Sequence, residues 1–185
     1  MPAYKLSYFP IKGIAEAHFF PVIFVSRLLF VLAGEEFEDD QVPFDQWTVV
    51  KPSFGGQTAF EAAWVDALAD QWKDYFVEIK PYLGVANGFL KTGDVDQLRK
   101  EVGEPVRDKH FALLEKAAQD NGANGFFVGR SLTWVDLLVA DHISVFEQHV
   151  PGFFDDFPAV RRIQKTVQAE PRLKQYLEQR SETYF

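Results

Sequence analysis

Three aspartates, Asp66, Asp70 and Asp74, recur at i, i+4 and i+8 in the stretch AAWVDALADQWKDY. On a helix that spacing places them along one edge. Like charges so arranged oppose the helix by roughly 0.2–0.5 kcal/mol per pair, so a compensating partner or a use is expected. The plain reading is a solvated acidic edge eased by Lys73 and Lys80. Nearer the start, Tyr8 closes an alternating segment, AYKLSYF, and Trp47 and Lys51 bracket WTVVK. Taken alone, Tyr8 is an aromatic packed at a strand end, Trp47 a boundary indole and Lys51 a solvated ammonium. There is no cysteine, which excludes disulfides, thiolate metal sites and a cysteine nucleophile. His18, His110, His142 and His149 show no metal-ligand spacing, and no metal is expected.

The chain has 185 residues and a net charge of -8, with a pI near 5.0. No basic stripe is visible for phosphate binding, which argues against nucleic acid as a partner. With no cysteine, the cytoplasm is the simplest compartment. The loudest apolar stretch, IAEAHFFPVIFVSRLLFVLAG over residues 14–34, is interrupted by Pro21 and Arg27. It falls short of the ~20 apolar residues a membrane span needs. It also lacks the basic flank and small-residue cleavage site of a signal peptide, since Glu16 precedes the run.

The elements that must position these residues follow from periodicity. Tyr4, Leu6 and Tyr8 alternate as on a strand, and EEFEDDQV reads as a second short strand after a helix ending at Gly34. After KPSFGGQTAF the pattern is helical throughout. Thr58 and Glu61 form a capping box before a long helix with the apolar stripe Val65, Leu68, Ala69, Trp72, Phe76 and Ile79. A second helix runs from near Pro105 to Asn121-Gly122. A third opens at Thr133 with Asp136, a fourth at Pro158 with Val160, Ile163 and Val167 inward, and a last at Pro171. Two parallel strands do not make a sheet that stands alone, so something that should follow Lys51 is absent.

Taken together, YKLSYF, KGIAEA, RLLFVLAGEEFEDDQV and QWTVVK, then FEAAWVDALADQWKDY, GFFVGRSLTWVDLLVADH and FPAVRRIQKTVQAEPRLKQYLEQR, resemble the glutathione S-transferases. The resemblance is closest to the sigma-like kind abundant in nematodes. It implies an incomplete thioredoxin-like α/β glutathione-binding domain over residues 1–53 and an all-helical C-terminal domain over 54–185. Two departures stand out. HFFPVIFVS separates segments that the family joins directly, an insertion near 18–26. After Lys51 roughly thirty residues of the family pattern are missing, more than loop variation explains when connections run ~2–6 residues. Their sharp edges point to splice-level events, one piece retained and one skipped.

The resemblance also implies the chemistry. A thiol reacts as its thiolate, and a fixed hydroxyl aimed at the sulfur favours that form. In the family pattern this donor is Tyr8. Trp47 and Lys51 fall where the glycine end of glutathione is held, by an indole N–H and a point charge. Asp74 falls where an aspartate reaches the amino group of glutathione on the other subunit of a dimer. Ile14 stands where many sigma members have arginine, which tells against an isomerase specialisation. The expected protein is a cytoplasmic homodimer that conjugates glutathione to apolar electrophiles in detoxification, with glutathione as co-substrate. Losing anchoring hydrogen bonds at ~1 kcal/mol each predicts weak turnover. The alternative is a non-catalytic binding or interaction protein with the same helical half.

Overall fold

The computed structural model describes residues 4–5, 32–34, 37–38 and 54–174. Strands β1 (Tyr4–Lys5) and β2 (Phe37–Glu38) pair in parallel, Tyr4 opposite Phe37 and Lys5 opposite Glu38. A helical turn at residues 32–33 precedes β2 and ends at Gly34 in the left-handed region, at φ 72°. The β-α-β order expected from the alternation is present at these positions.

The helical part comprises α1 (Ala59–Ala86), α2 (Val95–Leu98), α3 (Glu104–Asp120), α4 (Trp134–Phe146) and α5 (Pro158–Ala169). Between α2 and α3, Arg99–Gly103 form a wide π turn, closed by the Glu104 N–H donating to the Arg99 carbonyl. Gly103 is needed there, because a Cβ would lie 2.7 Å from the Tyr82 ring. Helix α1 starts as its sequence predicts. The Glu61 N–H donates to Thr58 Oγ1 at 3.1 Å, while Glu61 Oε2 accepts from the Thr58 and Gln57 N–H groups at 3.1 and 2.7 Å. Those bonds satisfy donors that a helix start otherwise leaves orphaned. Pro81 removes one helical bond from the carbonyl of Val77, on the exposed side where water can replace it.

Helix α1 packs against α3 and α4, and α4 against α5. The predicted stripe is buried except at one position. Val65, Leu68, Ala69, Trp72 and Ile79 are inside, but Phe76 is only half-buried, and Tyr75 is wholly enclosed in its place. Tyr75, Tyr82, Phe111, Phe146, Phe153 and Phe154 form a continuous aromatic centre, with Phe146 stacked on Phe153 at 4.9 Å. Such pairs prefer the offset and edge-to-face arrangements seen here. From the front of the chain, Leu32 is buried in this core, and the Arg172 guanidinium donates to its carbonyl.

Candidate functional site

Of the four residues expected to hold glutathione, Tyr8, Trp47 and Lys51 lie outside the described residues, and Asp74 lies on α1. One edge of α1 is buried, so the other turns outward. Outward-facing positions run Phe60, Ala63, Trp64, Ala67, Asp70, Asp74 and Val77, all exposed. The N-terminal half of this stripe is apolar, with Phe60 78% and Trp64 44% exposed. The second half is acidic.

The acids of this helix are not equivalent. Asp66 is half-buried and has a partner. Asp70 takes Lys73 at 2.9 Å. Lys73 therefore holds its proton more tightly than an ordinary lysine, mainly through that hydrogen bond and the Asp70 charge, with a smaller share from Asp74. Glu78, one turn beyond Asp74, is held through both oxygens by Lys109 of α3 at 2.7 and 2.9 Å. His110 Nε2 lies a further 3.2 Å from Glu78 Oε2. These contacts hold the Glu78 carboxyl below its ordinary range, Lys109 first and His110 second. Asp74 has no ion pair among the described residues, although it is exposed and flanked by paired acids. Lys80, the other cation expected to ease this edge, instead leans over the Phe76 ring, 5.7 Å from its centre. The expected neutralisation of the acidic edge therefore holds for Asp70 and not for Asp74. An uncompensated carboxylate between two compensated ones can accept from an ammonium group of a ligand.

Behind this edge the helix is fixed by buried polar contacts. Tyr75 O–H and His142 Nε2 are 3.1 Å apart. Part of His142 is accessible, but its ring is ringed by Trp72, Tyr75, Phe76, Phe146 and Phe154, with centroids 5.3–6.1 Å away. Loss of water there pushes its pKa down from 6.5 to about 3, so it is neutral. The same burial raises Tyr75 well above an ordinary phenol. Asp136 completes the predicted box of α4, accepting from the Thr133 N–H and hydroxyl and the Phe127 N–H, each at 2.7 Å. Lys109, His110 and His142 were not singled out from sequence as partners of α1. No local pattern could reveal them, since Glu78 and Lys109 are 31 residues apart.

The described helices form an all-helical domain in which a long capped helix with an unpaired acid packs on a core helix that opens with a Thr-Asp box. Residues 84–180 match the family model described as the glutathione S-transferase C-terminal domain. The chain is 36% identical over 216 aligned positions to "Probable glutathione S-transferase 8" of Caenorhabditis elegans, covering 100% of both. It superposes on a crystal structure of the glutathione S-transferase from Ascaris lumbricoides with a TM-score of 0.81 at 30% identity, covering 100% of both chains. It does so equally, at 0.81 and 33% identity over 98% and 99% of the two chains, on a monomeric glutathione S-transferase of the hookworm Necator americanus. The chain belongs to the glutathione S-transferase family.

Proposed function

We propose that this protein is a sigma-like glutathione S-transferase, joining the glutathione thiolate to electrophilic carbons of apolar compounds in detoxification. In this reading Tyr8 donates its hydroxyl to the sulfur, and Trp47 and Lys51 hold the glycine end. The carboxylate of Asp74 receives the amino group of glutathione bound to a second copy. The division into residues 1–53 and 54–185 and the cytoplasmic setting belong to the same reading. The observation that carries it is the unpaired, exposed Asp74 between paired Asp70 and Glu78. The apolar half of the same stripe, Phe60, Ala63, Trp64 and Ala67, supports a homodimer in which Asp74 faces the partner. Retention on immobilised glutathione, with turnover of a chlorinated aromatic substrate lost in Tyr8→Phe and binding weakened in Asp74→Asn, tests the assignment. Unchanged turnover in Tyr8→Phe sinks the catalytic role.

A second reading is favoured by length. The alignment with the Caenorhabditis elegans relative runs over 216 positions, 31 more than this chain's 185 residues. That difference supports the reading that a segment is missing from this chain, which the sequence pattern puts after Lys51; the extra piece near 18–26 belongs to the same reading. A chain that has lost glutathione anchors would act as a binding or interaction protein with low turnover. A folded protein that neither binds nor turns over glutathione supports this second reading. Sequencing the transcript across both junctions distinguishes a splice variant from a stable gene product.

A further inference from the structure

The front of the chain meets the helical core at Leu32, which is 1% exposed, whereas Ala33 and Gly34 after it are exposed. Leu32 stands in the helical turn before β2, which ends at Gly34 with φ 72°. The last carbonyls of a helix have no partner within it. The Leu32 carbonyl finds one at the other end of the chain, where Arg172 Nη1 donates to it across 140 residues. The guanidinium is held for this contact. Its Nε donates to Glu170 Oε1 at 2.7 Å, and the next residue, Leu173, is wholly buried. The Glu170 carbonyl accepts from the Leu173 and Lys174 N–H groups, both at 3.0 Å, which fixes the turn that carries Arg172. A planar fork can serve Glu170 and Leu32 together, whereas an ammonium is a single point charge.

Phe37 of β2 follows Leu32 by five residues, and Tyr8 follows Lys5 of β1 by three. Between them lies the parallel pairing of Tyr4 with Phe37 and Lys5 with Glu38. A ladder this short does not stand alone, so its place depends on what anchors the segment leading into it. We propose that Arg172 is a positioning residue for the thiolate donor: by fixing Leu32 to the helical domain it fixes the β1–β2 pair, and so the aim of the Tyr8 hydroxyl at the glutathione sulfur. The proposal rests on the reading of Tyr8 as that donor. Arg172 acts through the strands and not on the sulfur, so its loss should misplace the donor rather than remove it.

The test compares Arg172→Ala, Arg172→Lys and Tyr8→Phe with the natural full chain. At saturating glutathione, the pH profile of kcat/KM for a chlorinated aromatic substrate gives the midpoint of thiol ionisation. The ultraviolet absorbance of bound thiolate gives the same midpoint without turnover. Hydrogen exchange reports the amides of Phe37 and Glu38. Arg172→Ala should raise the midpoint by about half to one pH unit, which lowers kcat/KM about three- to tenfold below it and leaves the plateau above it. Exchange should quicken at Phe37 and Glu38 but not in α3 or α4. Arg172→Lys keeps the charge, shifts the midpoint less, and carries the test if the alanine variant does not fold. A loss that is uniform in pH, with the midpoint unmoved, marks a merely structural contact and overturns the proposal. Unchanged exchange at Phe37 and Glu38, or a shift in lysine as large as in alanine, overturns it too. If Tyr8→Phe leaves the midpoint in place, or glutathione does not bind at all, the Tyr8 reading itself fails and the proposal with it. A midpoint that moves in Tyr8→Phe and stays in both Arg172 variants overturns the proposal alone.

Discussion

Helix α5 has no cap of its own, and Glu115 of α3 supplies one. The N-cap position is Phe157, which offers no side-chain acceptor. Pro158 at the first helical position has no N–H to satisfy. The next two donors, the N–H groups of Ala159 and Val160, would be orphaned in the core. Glu115 of α3, 9% exposed, accepts from Ala159 at 3.0 and 2.9 Å with its two oxygens and from Val160 at 3.0 Å. Its Oε1 also accepts from Gln119 at 2.8 Å. Leaving a buried N–H unsatisfied costs about 1–3 kcal/mol, and a partly buried charge at a helix N-terminus contributes up to ~2 kcal/mol more. Allowing for some water entry, Glu115→Ala should lose about 3 kcal/mol and Glu115→Gln about half of that, since one oxygen survives. Urea unfolding followed by circular dichroism, at one protein concentration so that any association cancels, gives both values. A loss below ~1 kcal/mol for alanine, or equal losses for the two variants, would refute the claim that these N–H groups depend on this carboxylate.

Three further outcomes can be checked on the same protein. His142 is neutral when folded, with its pKa down at about 3 against 6.5. Its contribution is whole above pH ~6.5 and lost as pH falls toward 3, because the unfolded chain binds the proton first. Asp136 runs the other way: burial raises it from 3.8 to about 6 against the pull of its three donors. Its contribution is therefore present below 3.8 and lost as pH rises through 6. The two slopes oppose between pH ~4 and 6, so Asp136→Asn should expose the His142 slope, up to ~1.4 kcal/mol per pH unit; urea midpoints that stay flat in this variant count against it. Gly56 sits at φ 99°, and a Cβ there would meet Glu61 Cβ at 2.7 Å. Gly56→Ala should lower stability by more than ~1 kcal/mol, and an unchanged melting temperature would contradict that. Trp64→Glu should shift sedimentation from dimer to monomer if α1 forms the interface; a natural chain that is already monomeric removes the dimer from the reading.

Much of the helical half was legible because its signals are local. Thr58 with Glu61, Thr133 with Asp136, and Pro158 each start a helix where their chemistry requires, and Asn121 ends one. The long stripe was right except at Phe76, where Tyr75 takes the buried place. A helix advances 3.6 residues per turn, so either neighbour fits the period. What decides is the pocket offered by Phe111 and His142, with ring centres 5.0 and 5.3 Å from Tyr75. Those rings come from 36 and 67 residues further along the chain. The π turn at Arg99–Gly103 was equally hidden, because its reason is the close approach of Gly103 to Tyr82. The cap of α5 was invisible for the same cause, since its acceptor stands 44 residues before the donor.

The acidic edge of α1 shows how far this limit reaches into function. In sequence, Asp66, Asp70 and Asp74 differ by nothing but position, and Lys73 is adjacent to Asp74 in the chain. Adjacent residues point about 100° apart on a helix, so Lys73 reaches back to Asp70, three residues before it. The next cation, Lys80, is drawn to the face of Phe76, and Lys109 arrives from α3 opposite Glu78 rather than Asp74. Each cation goes where helix geometry and packing send it. What survives is one carboxylate with no internal partner among the described residues. Pairing Asp74 internally would have taken only a basic residue at position 77 or 78, where valine and glutamate stand. A basic residue introduced there, Val77→Lys, should therefore quench the site without unfolding the helix, lowering affinity for S-methylglutathione while leaving the urea midpoint within ~0.5 kcal/mol of the natural chain. Equal affinity in that variant, with the new pair confirmed by a shifted Asp74 carboxyl signal, would mean that the free charge at Asp74 is not what a ligand meets.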